Sequence, residues 1–485
     1  MPVIGKRRTY FFPFQEKVVQ YDKRRTDKML YRKIERDLKN WKDNYSTVLY
    51  LKGARQTGKT YSIREFGTRK FDHFYEINFT SNAAALDLLL EVKNYDDFIE
   101  RITLLLSAKP GKNDLLFLDE IQFYYEERES RIEKDPGFAS RYVDILTLSK
   151  EIADKGDFRL AMSGSLLGAK LFNTRLSPMG YVSEMTMYPL DFEEYLLAMG
   201  TSEETISLLK KRFEEREPVS DSINSLMLRK FKEYILVGGM PKAVDIFKTT
   251  RDFNAVEKVH DDIVSWYKDD IKKYVPVKDR ITIGAVYESL PSELSKKNRK
   301  FVKTHLDIPG IKNKDLGEEY LWLYNAGTAI PVYNAQNPVF PLRATEDNKI
   351  MKLFANDVGL LTSSLFRGSD KAQIISDNPQ VDLGAVYENA VAELLLCHGF
   401  QPYFASMKKE GEVDFLVERN LSVLPIEVKS GKSGRNGLYS HHALDIMLNK
   451  HPEIKEAYLF GQTDCTEENS RIKYYPVYMA DFLRR

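Results

Sequence analysis

Gly53-Ala-Arg-Gln-Thr-Gly-Lys-Thr60 follows the apolar run Val48 to Leu51 and precedes Ser62 to Phe66, a segment able to form a helix. G-x-x-x-x-G-K-[ST] between a strand and a helix reads as a phosphate-binding loop. Gly53 and Gly58 let the backbone turn its N–H groups inward around phosphates, where a helix N-terminus adds partial positive charge. Gly53, Gln56, Thr57, Gly58, Lys59 and Thr60 are therefore the expected nucleotide-binding positions. Lys59 reaches toward the β- and γ-phosphates, and the Thr60 hydroxyl toward Mg²⁺. The expected cofactors are ATP and Mg²⁺.

About 60 residues on, Asp114-Leu-Leu-Phe-Leu-Asp-Glu120 is an apolar strand ending in two carboxylates. In that arrangement Asp119 holds Mg²⁺ and Glu120 polarises the attacking water, which favours hydrolysis over transfer to a second substrate. A further apolar run, Phe158 to Met162, leads into Ser163-Gly-Ser165. Ser165 is the chosen residue for sensing the γ-phosphate and Ser163 the alternative; a plain strand-ending turn explains the same residues.

Apolar residues make up 43% of the 485 and charged residues 29%, as in an ordinary globular protein of two to four domains. No run approaches the 18 apolar residues of a membrane span, and the N-terminus lacks the apolar core of a signal peptide, so no membrane partner and a cytoplasmic location are expected. Cys397 and Cys465 lie far apart without metal-ligand spacing. The net charge of +1 hides two basic stretches: Met1 to Lys42 carries 13 Lys and Arg against 5 acids, and Lys272 to Thr304 carries 9 against 3. Either suits nucleic acid. In the first, Leu30, Ile34, Leu38 and Trp41 recur at helical spacing, so its cations also read as a helix's solvated face.

Strand-like runs at Val48 to Leu51, Tyr75 to Phe79, Leu115 to Leu118 and Phe158 to Met162 alternate with amphipathic stretches, the pattern of a parallel sheet covered by helices. From Ser202 to about Asp270 the pattern is helical, a candidate lid, interrupted by Gly238-Gly-Met-Pro241. Pro241 suits a surface that a flat ring approaches closely, and equally a turn between helices. Residues 281–342 read as short helices followed by strand-like Ala329 to Tyr333 and Val339 to Leu342, which suggests a winged helix with the basic segment Lys296 to Lys303.

Glu412-Val-Asp-Phe-Leu-Val-Glu418 and Leu424-Pro-Ile-Glu-Val-Lys429 alternate like strands and are joined by Arg419-Asn-Leu-Ser422, a hairpin turn. Side-chain period two sets Val413, Phe415 and Val417 against Asp414, and Leu424, Ile426 and Val428 against Glu427 and Lys429. Asp414 and Glu427 then share a divalent metal, Mg²⁺ or Mn²⁺, through oxygen ligands, while Lys429 steadies charge on a phosphodiester. Upstream, the helix-like Val386 to Leu395 contributes Glu388 as a fourth catalytic candidate. A charged, solvated sheet face explains the same alternation.

D-x12-E-x-K after a Glu-bearing helix resembles the restriction-endonuclease-like, PD-(D/E)xK nuclease core. Taken with Gly53 to Thr60, Leu118 to Gln122, Tyr188 to Tyr195, Gly238 to Pro241, Asp357 to Leu361, Gly411 to Asp414 and Ile426 to Lys429, the chain resembles a prokaryotic family of AAA-like P-loop ATPases, of the archaeal-ATPase type, over roughly residues 28–460. The resemblance implies an α/β fold: a P-loop NTPase parallel sheet with helical lid, a winged-helix module and a restriction-endonuclease-like C-terminal domain. The domain reading is a basic arm and helix over 1–44, the ATPase domain over 45–200, the lid over 201–272, the winged helix over 273–348 and the nuclease-like domain over 349–485. Many members carry a cation shortly before the Pro-Leu-Asp-Phe-like segment; Tyr181 stands there in this chain, and Arg175 is the nearest substitute for an arginine finger. Two functions follow. One is an ATP-driven protein acting on DNA or RNA; the other is a nucleotide-dependent switch that binds a protein partner through a non-catalytic C-terminal domain. The oligomeric state stays open, a homo-oligomer being one alternative.

Overall fold

The computed structural model describes residues 30–165, 180–296, 301–302, 319–368, 370–376, 378, 381–407, 410–431, 439–467 and 471–485. Its Cα framework divides into two compact units, the first containing Glu35–Lys52 and Lys59–Thr186, the second containing residues 30–34, Gly53–Gly58 and Met187–Arg485.

The first unit is built on a five-stranded sheet. Its strands are β1 (Val48–Gly53), β2 (Phe74–Asn78), β3 (Leu115–Asp119), β4 (Arg159–Ser165) and β5 (Val182–Met187), in the spatial order β2-β3-β4-β1-β5. β3 runs parallel to both β2 and β4. β3 is buried along its whole length and β1 everywhere except Lys52, which is why both read as continuous apolar runs. Strand β5 escaped the sequence reading because it is mostly half-exposed and rich in Ser, Glu and Thr. The core joins Tyr75 and Ile77 of β2 and Leu116 and Leu118 of β3 to Leu89, Leu90, Phe98, Ile102 and Tyr124 of the covering helices. In the helix Ile34–Asn44, Leu38 and Trp41 are buried while Arg36 and Lys39 are exposed, so these two cations form a solvated face.

In the second unit the helices Glu203–Glu215, Asp221–Val237, Pro241–Thr250, Phe253–Tyr274 and Arg280–Ser295 follow one another. Ser202, Ser220 and Asp252 cap three of them by accepting from the backbone N–H groups of Thr205, Ile223 and Asn254. A nine-stranded mixed sheet follows, built from β6 (Phe301–Val302), β7 (Ala329–Ala335), β8 (Glu346–Ala355), β9 (Tyr403–Met407), β10 (Gly411–Arg419), β11 (Ser422–Val428), β12 (Ala457–Gly461), β13 (Thr466–Glu467) and β14 (Ile472–Pro476). Its order is β13-β14-β12-β11-β10-β9-β7-β8-β6.

The hairpin read as a wing is differently built. Val339 to Leu342 is no strand; β7 pairs instead with Glu346–Ala355, and β7 also hydrogen-bonds in parallel to β9. The hairpin is thus part of the C-terminal sheet, and a boundary at residues 348/349 falls inside β8. The basic segment Lys296 to Lys303 lies mostly outside the described residues, as do the N-terminal arm up to residue 29, Arg175 and residues 177–179.

Strands β10 and β11 pair as read, Phe415 opposite Ile426 and Arg419 opposite Ser422. One detail differs. Phe415 and Val417 pack with Ile426 and Val428 in one core, whereas Val413 packs with Leu416 in another. The pairing with β9 slips between Val413 and Leu416, and such a bulge breaks the two-residue alternation on which the three-residue stripe rested.

Candidate functional site

In the first unit Asp119 ends β3 with only 1% of its surface exposed. Its carboxylate receives the Thr60 hydroxyl at 3.1 and 3.0 Å and the Asn78 amide at 2.9 Å, and Ser163 Oγ also donates to it. The strand order explains the set: β2 carries Asn78, β4 carries Ser163, and both flank β3. Sequence reading chose Ser165. Ser163 is the residue that meets Asp119, while the Ser165 side chain is outside the described residues. Glu120 follows with φ +57°, starts the helix Ile121–Lys134 and accepts from the Gln122 amide. The buried Lys59 and the half-buried Thr60 open the helix Lys59–Lys70.

The loop between β1 and that helix is assigned to the second unit. Gly58 has φ +97°, a conformation that only glycine adopts without strain, and a Cβ at Gly53 would come within 2.3 Å of the Met187 carbonyl oxygen. Three ties hold the loop. Arg32, 7% exposed, donates to the Thr57 carbonyl at 2.8 Å; Tyr267 donates to the Arg55 carbonyl at 3.2 Å; and the Arg55 guanidinium pairs with Asp270 at 2.8 Å. Pro241 Cγ would lie 3.5 Å from a Cβ at Gly58, and Pro241 is also the first residue of its helix, where a missing N–H costs nothing.

Arg32 also grips Tyr188 and Glu194, donating to the Tyr188 carbonyl at 2.6 Å and to Glu194 Oε1 at 3.3 Å. Beside it Lys33 pairs with Asp191 at 2.5 Å and Glu193 at 2.7 Å. His398 reaches Asp191 at 3.3 Å and Asp481 at 3.2 Å, and Arg484 reaches Glu193 at 3.3 Å. Burial pushes the Asp191 carboxyl up, but Lys33 and His398 outweigh it and hold Asp191 well below the usual carboxylate range. Asp191, His398 and Asp481 have the spacing of a metal site, yet Lys33 and Arg484 already supply the counter-charge. Sequence reading assigned Arg32 and Lys33 to a basic arm for nucleic acid or solvent. They are instead internal partners of the acids in Tyr188 to Tyr195, and nothing in local sequence signals a pairing some 160 residues distant. The segments Gly238 to Pro241 and Asp357 to Leu361 also meet: the Asp357 carboxylate accepts from the N–H of Gly239 at 2.6 Å and of Leu360 at 3.0 Å.

The C-terminal sheet gathers Glu388, Asp414, Glu427 and Lys429, as the spacing suggested, and adds two residues that the sequence did not mark. Lys352, on β8 and 1% exposed, lies 2.7 Å from Glu412, 3.4 Å from Glu388 and 3.8 Å from Asp414. Lys429 pairs with Glu427 Oε1 at 2.6 Å, and Val428 N–H donates to Asp414 at 2.9 Å. Among the described residues the buried Glu427 Oε2 has no hydrogen-bond partner, an acceptor that suits a cation. Burial, then the charge of Asp414, pushes the Glu427 carboxyl up to about 8 against the pull of Lys429.

Residues 45–196 match the model of an AAA domain, AAA_14. The chain carries an AAA-type P-loop ATPase domain. Residues 228–371 and 383–479 match two domains of unknown function, DUF8612 and DUF4143. No curated protein matches. Among solved structures, the Walker-type ATPase PABY2304 of Pyrococcus abyssi is 14% identical with a TM-score of 0.40, over 70% of this chain and 96% of that one. AMPPCP-bound DnaA from Aquifex aeolicus is 13% identical with a TM-score of 0.28, over 54% of this chain and 72% of that one. The Aeropyrum pernix ORC1 protein, in complex with DNA, is 14% identical with a TM-score of 0.25, over 69% of this chain and 87% of that one. Among the described residues, no helix is long and apolar enough to cross a membrane.

Proposed function

We propose that this ATPase domain hydrolyses Mg-ATP and that its nucleotide state governs a metal-dependent, nuclease-like site in the C-terminal sheet that acts on DNA or RNA. The carrying observation is that the loop Gly53–Gly58 is tied by Arg32, Tyr267 and Asp270 into the same compact unit as Glu388, Asp414, Glu427 and Lys429. A change of loop conformation on nucleotide exchange therefore acts directly on the unit bearing the acidic cluster.

In this reading Gly53, Gln56, Thr57 and Gly58 turn backbone N–H groups toward the phosphates, and Lys59 neutralises their charge. Mg²⁺, when bound, stabilises the charge that develops on the transferred phosphoryl group. Thr60 and Asp119 hold it, Asn78 and Ser163 fix the Asp119 carboxylate, and Glu120 takes the proton of the attacking water. Pro241 bounds the base side of the nucleotide. At the C-terminal site Asp414 and Glu427 hold the divalent cation, with Lys429 next to the scissile phosphate.

Labelled DNA and RNA, incubated with the protein, ATP and Mg²⁺ or Mn²⁺, test the nuclease half: cleavage is expected and Asp414→Ala abolishes it. Neither binding nor cleavage, with no effect of Asp414→Ala, sinks that half. A second reading is favoured by Lys352, which already pairs internally with three carboxylates. In it the C-terminal domain is a scaffold and ATP sets association with a protein partner. That reading requires Lys59→Ala to abolish the association while Glu388, Asp414, Glu427 and Lys429 are all replaceable.

A further inference from the structure

The acidic cluster of the C-terminal sheet is two half-sites of different character. Around Lys352 one ammonium, with three N–H donors, faces the carboxylates of Glu412, Glu388 and Asp414 at 2.7, 3.4 and 3.8 Å. The ammonium also lies 5.4 Å from the centre of the Phe404 ring, an apolar wall that favours an organic cation over a strongly hydrated one. Around Glu427 one acceptor atom is left over. Lys429 takes Oε1 at 2.6 Å and Val428 N–H takes Asp414 Oδ2 at 2.9 Å, but Glu427 Oε2, on a residue only 6% exposed, has no donor among the described residues. An unpartnered buried carboxylate oxygen costs more than one bonded to a cation, so that half has capacity for a further positive charge.

We propose that Lys352 is a built-in counter-ion filling one of two cation positions in this cluster, so that the site takes a single divalent ion, at Asp414 and Glu427, where Glu388, Glu412 and Asp414 would otherwise bind a second. The proposal rests on the reading of Asp414 and Glu427 as metal ligands. It adds that the metal count is set by a lysine on β8, a strand remote in sequence from the D-x12-E-x-K pattern. Mobile divalent ions are attracted to grouped carboxylates, whereas a lysine delivers one fixed charge on a tether and leaves no coordination sites for water or phosphate oxygen. Chemistry at the Glu388 and Glu412 side is thereby confined to charge compensation, and any substrate oxygen meets metal only beside Glu427.

The test counts Mn²⁺ bound to the full chain without nucleotide, from the electron paramagnetic resonance of free Mn²⁺. Lys352→Gln is expected to bind one Mn²⁺ per chain more than the parent, Lys352→Arg to bind the same number as the parent, and Lys352→Gln combined with Glu388→Gln to lose the gain. Equal stoichiometry in the parent and a folded Lys352→Gln overturns the proposal. Where Lys352→Gln alone is unfolded, Mn²⁺ is expected to restore its melting transition, and failure to do so at millimolar Mn²⁺ also overturns it. Glu427→Gln reports separately on the underlying reading. If it binds as much Mn²⁺ as the parent, there is no metal at Asp414 and Glu427, while the difference made by Lys352 remains readable.

Discussion

At the scale of single residues, chemistry concentrates where β2, β3 and β4 end. Lys59→Ala removes the ammonium proposed to neutralise the phosphates and is expected to abolish nucleotide binding, measurable by calorimetric titration with ATP. Glu120→Gln keeps shape and loses the proposed base, so binding is expected to persist while turnover falls by roughly 10²- to 10⁴-fold. Normal turnover in that variant means that another group activates the water. Ser163→Ala takes a donor from Asp119 and leaves Thr60 and Asn78 in place. Outer partners of metal-binding groups typically change affinity or activity by roughly 10- to 100-fold, so a raised Mg²⁺ requirement for hydrolysis is expected. The strand–loop–helix setting of Gly53 to Thr60 and the place of Asp119 and Glu120 at the end of β3 were legible because neighbouring positions dictate them. The meeting of Ser163 with Asp119 was not, since it depends on the strand order that sets β4 beside β3.

Among elements, the hairpin β10–β11 was fully legible, down to its two-residue turn. Asn420 and Leu421 both have positive φ, 51° and 58°, and Leu421 is 81% exposed. A leucine there bears left-handed strain of about 1 kcal/mol with no packing in return. Leu421→Gly is expected to raise stability by up to that amount in urea titration, and a loss of stability would mean that the turn differs from this description. The bulge opposite β9 was hidden, because the apolar spacing of Val413, Phe415 and Val417 is the same with or without it. At the helix Phe192–Ala198, Asp191 caps the first turn in a reciprocal arrangement with Glu194 and also pairs with Lys33 and His398. Asp191→Ala leaves buried cations without their partner, and a loss of about 3–5 kcal/mol in denaturant unfolding is expected.

On the whole-molecule scale, two buried histidines give stability opposite pH dependences. His260 Nε2 donates to the Val237 carbonyl at 3.0 Å, and Nδ1 accepts from Ser363 Oγ at 2.6 Å. Burial, with Lys371 nearby, depresses its pKa from 6.5 to about 3. The neutral ring's contribution is therefore complete above pH 6.5 and lost as pH falls toward 3, by up to ~1.4 kcal/mol per pH unit. For His398 burial is outweighed by Asp191 and Asp481, and its pKa is raised. Its contribution is complete below 6.5 and lost as pH rises through the folded value. His260→Gln, which retains a donor for Val237, is expected to flatten the fall of melting temperature between pH 6.5 and 4. An unchanged slope would assign that acid lability elsewhere.

By itself the sequence determined the glycine-rich loop between β1 and its helix, the Asp119–Glu120 pair at the end of β3, the β10–β11 hairpin and the D-x12-E-x-K spacing, since each is written within a few turns of chain. Tertiary structure alone decided which residues surround them. Arg32 and Lys33 are buried partners of Tyr188 to Tyr195, the expected wing belongs to the C-terminal sheet, and Lys352 occupies the acidic cluster. These are electrostatic and hydrogen-bonded matches between segments tens to hundreds of residues apart. A charge on its own carries no mark of whether it will meet water or a buried partner.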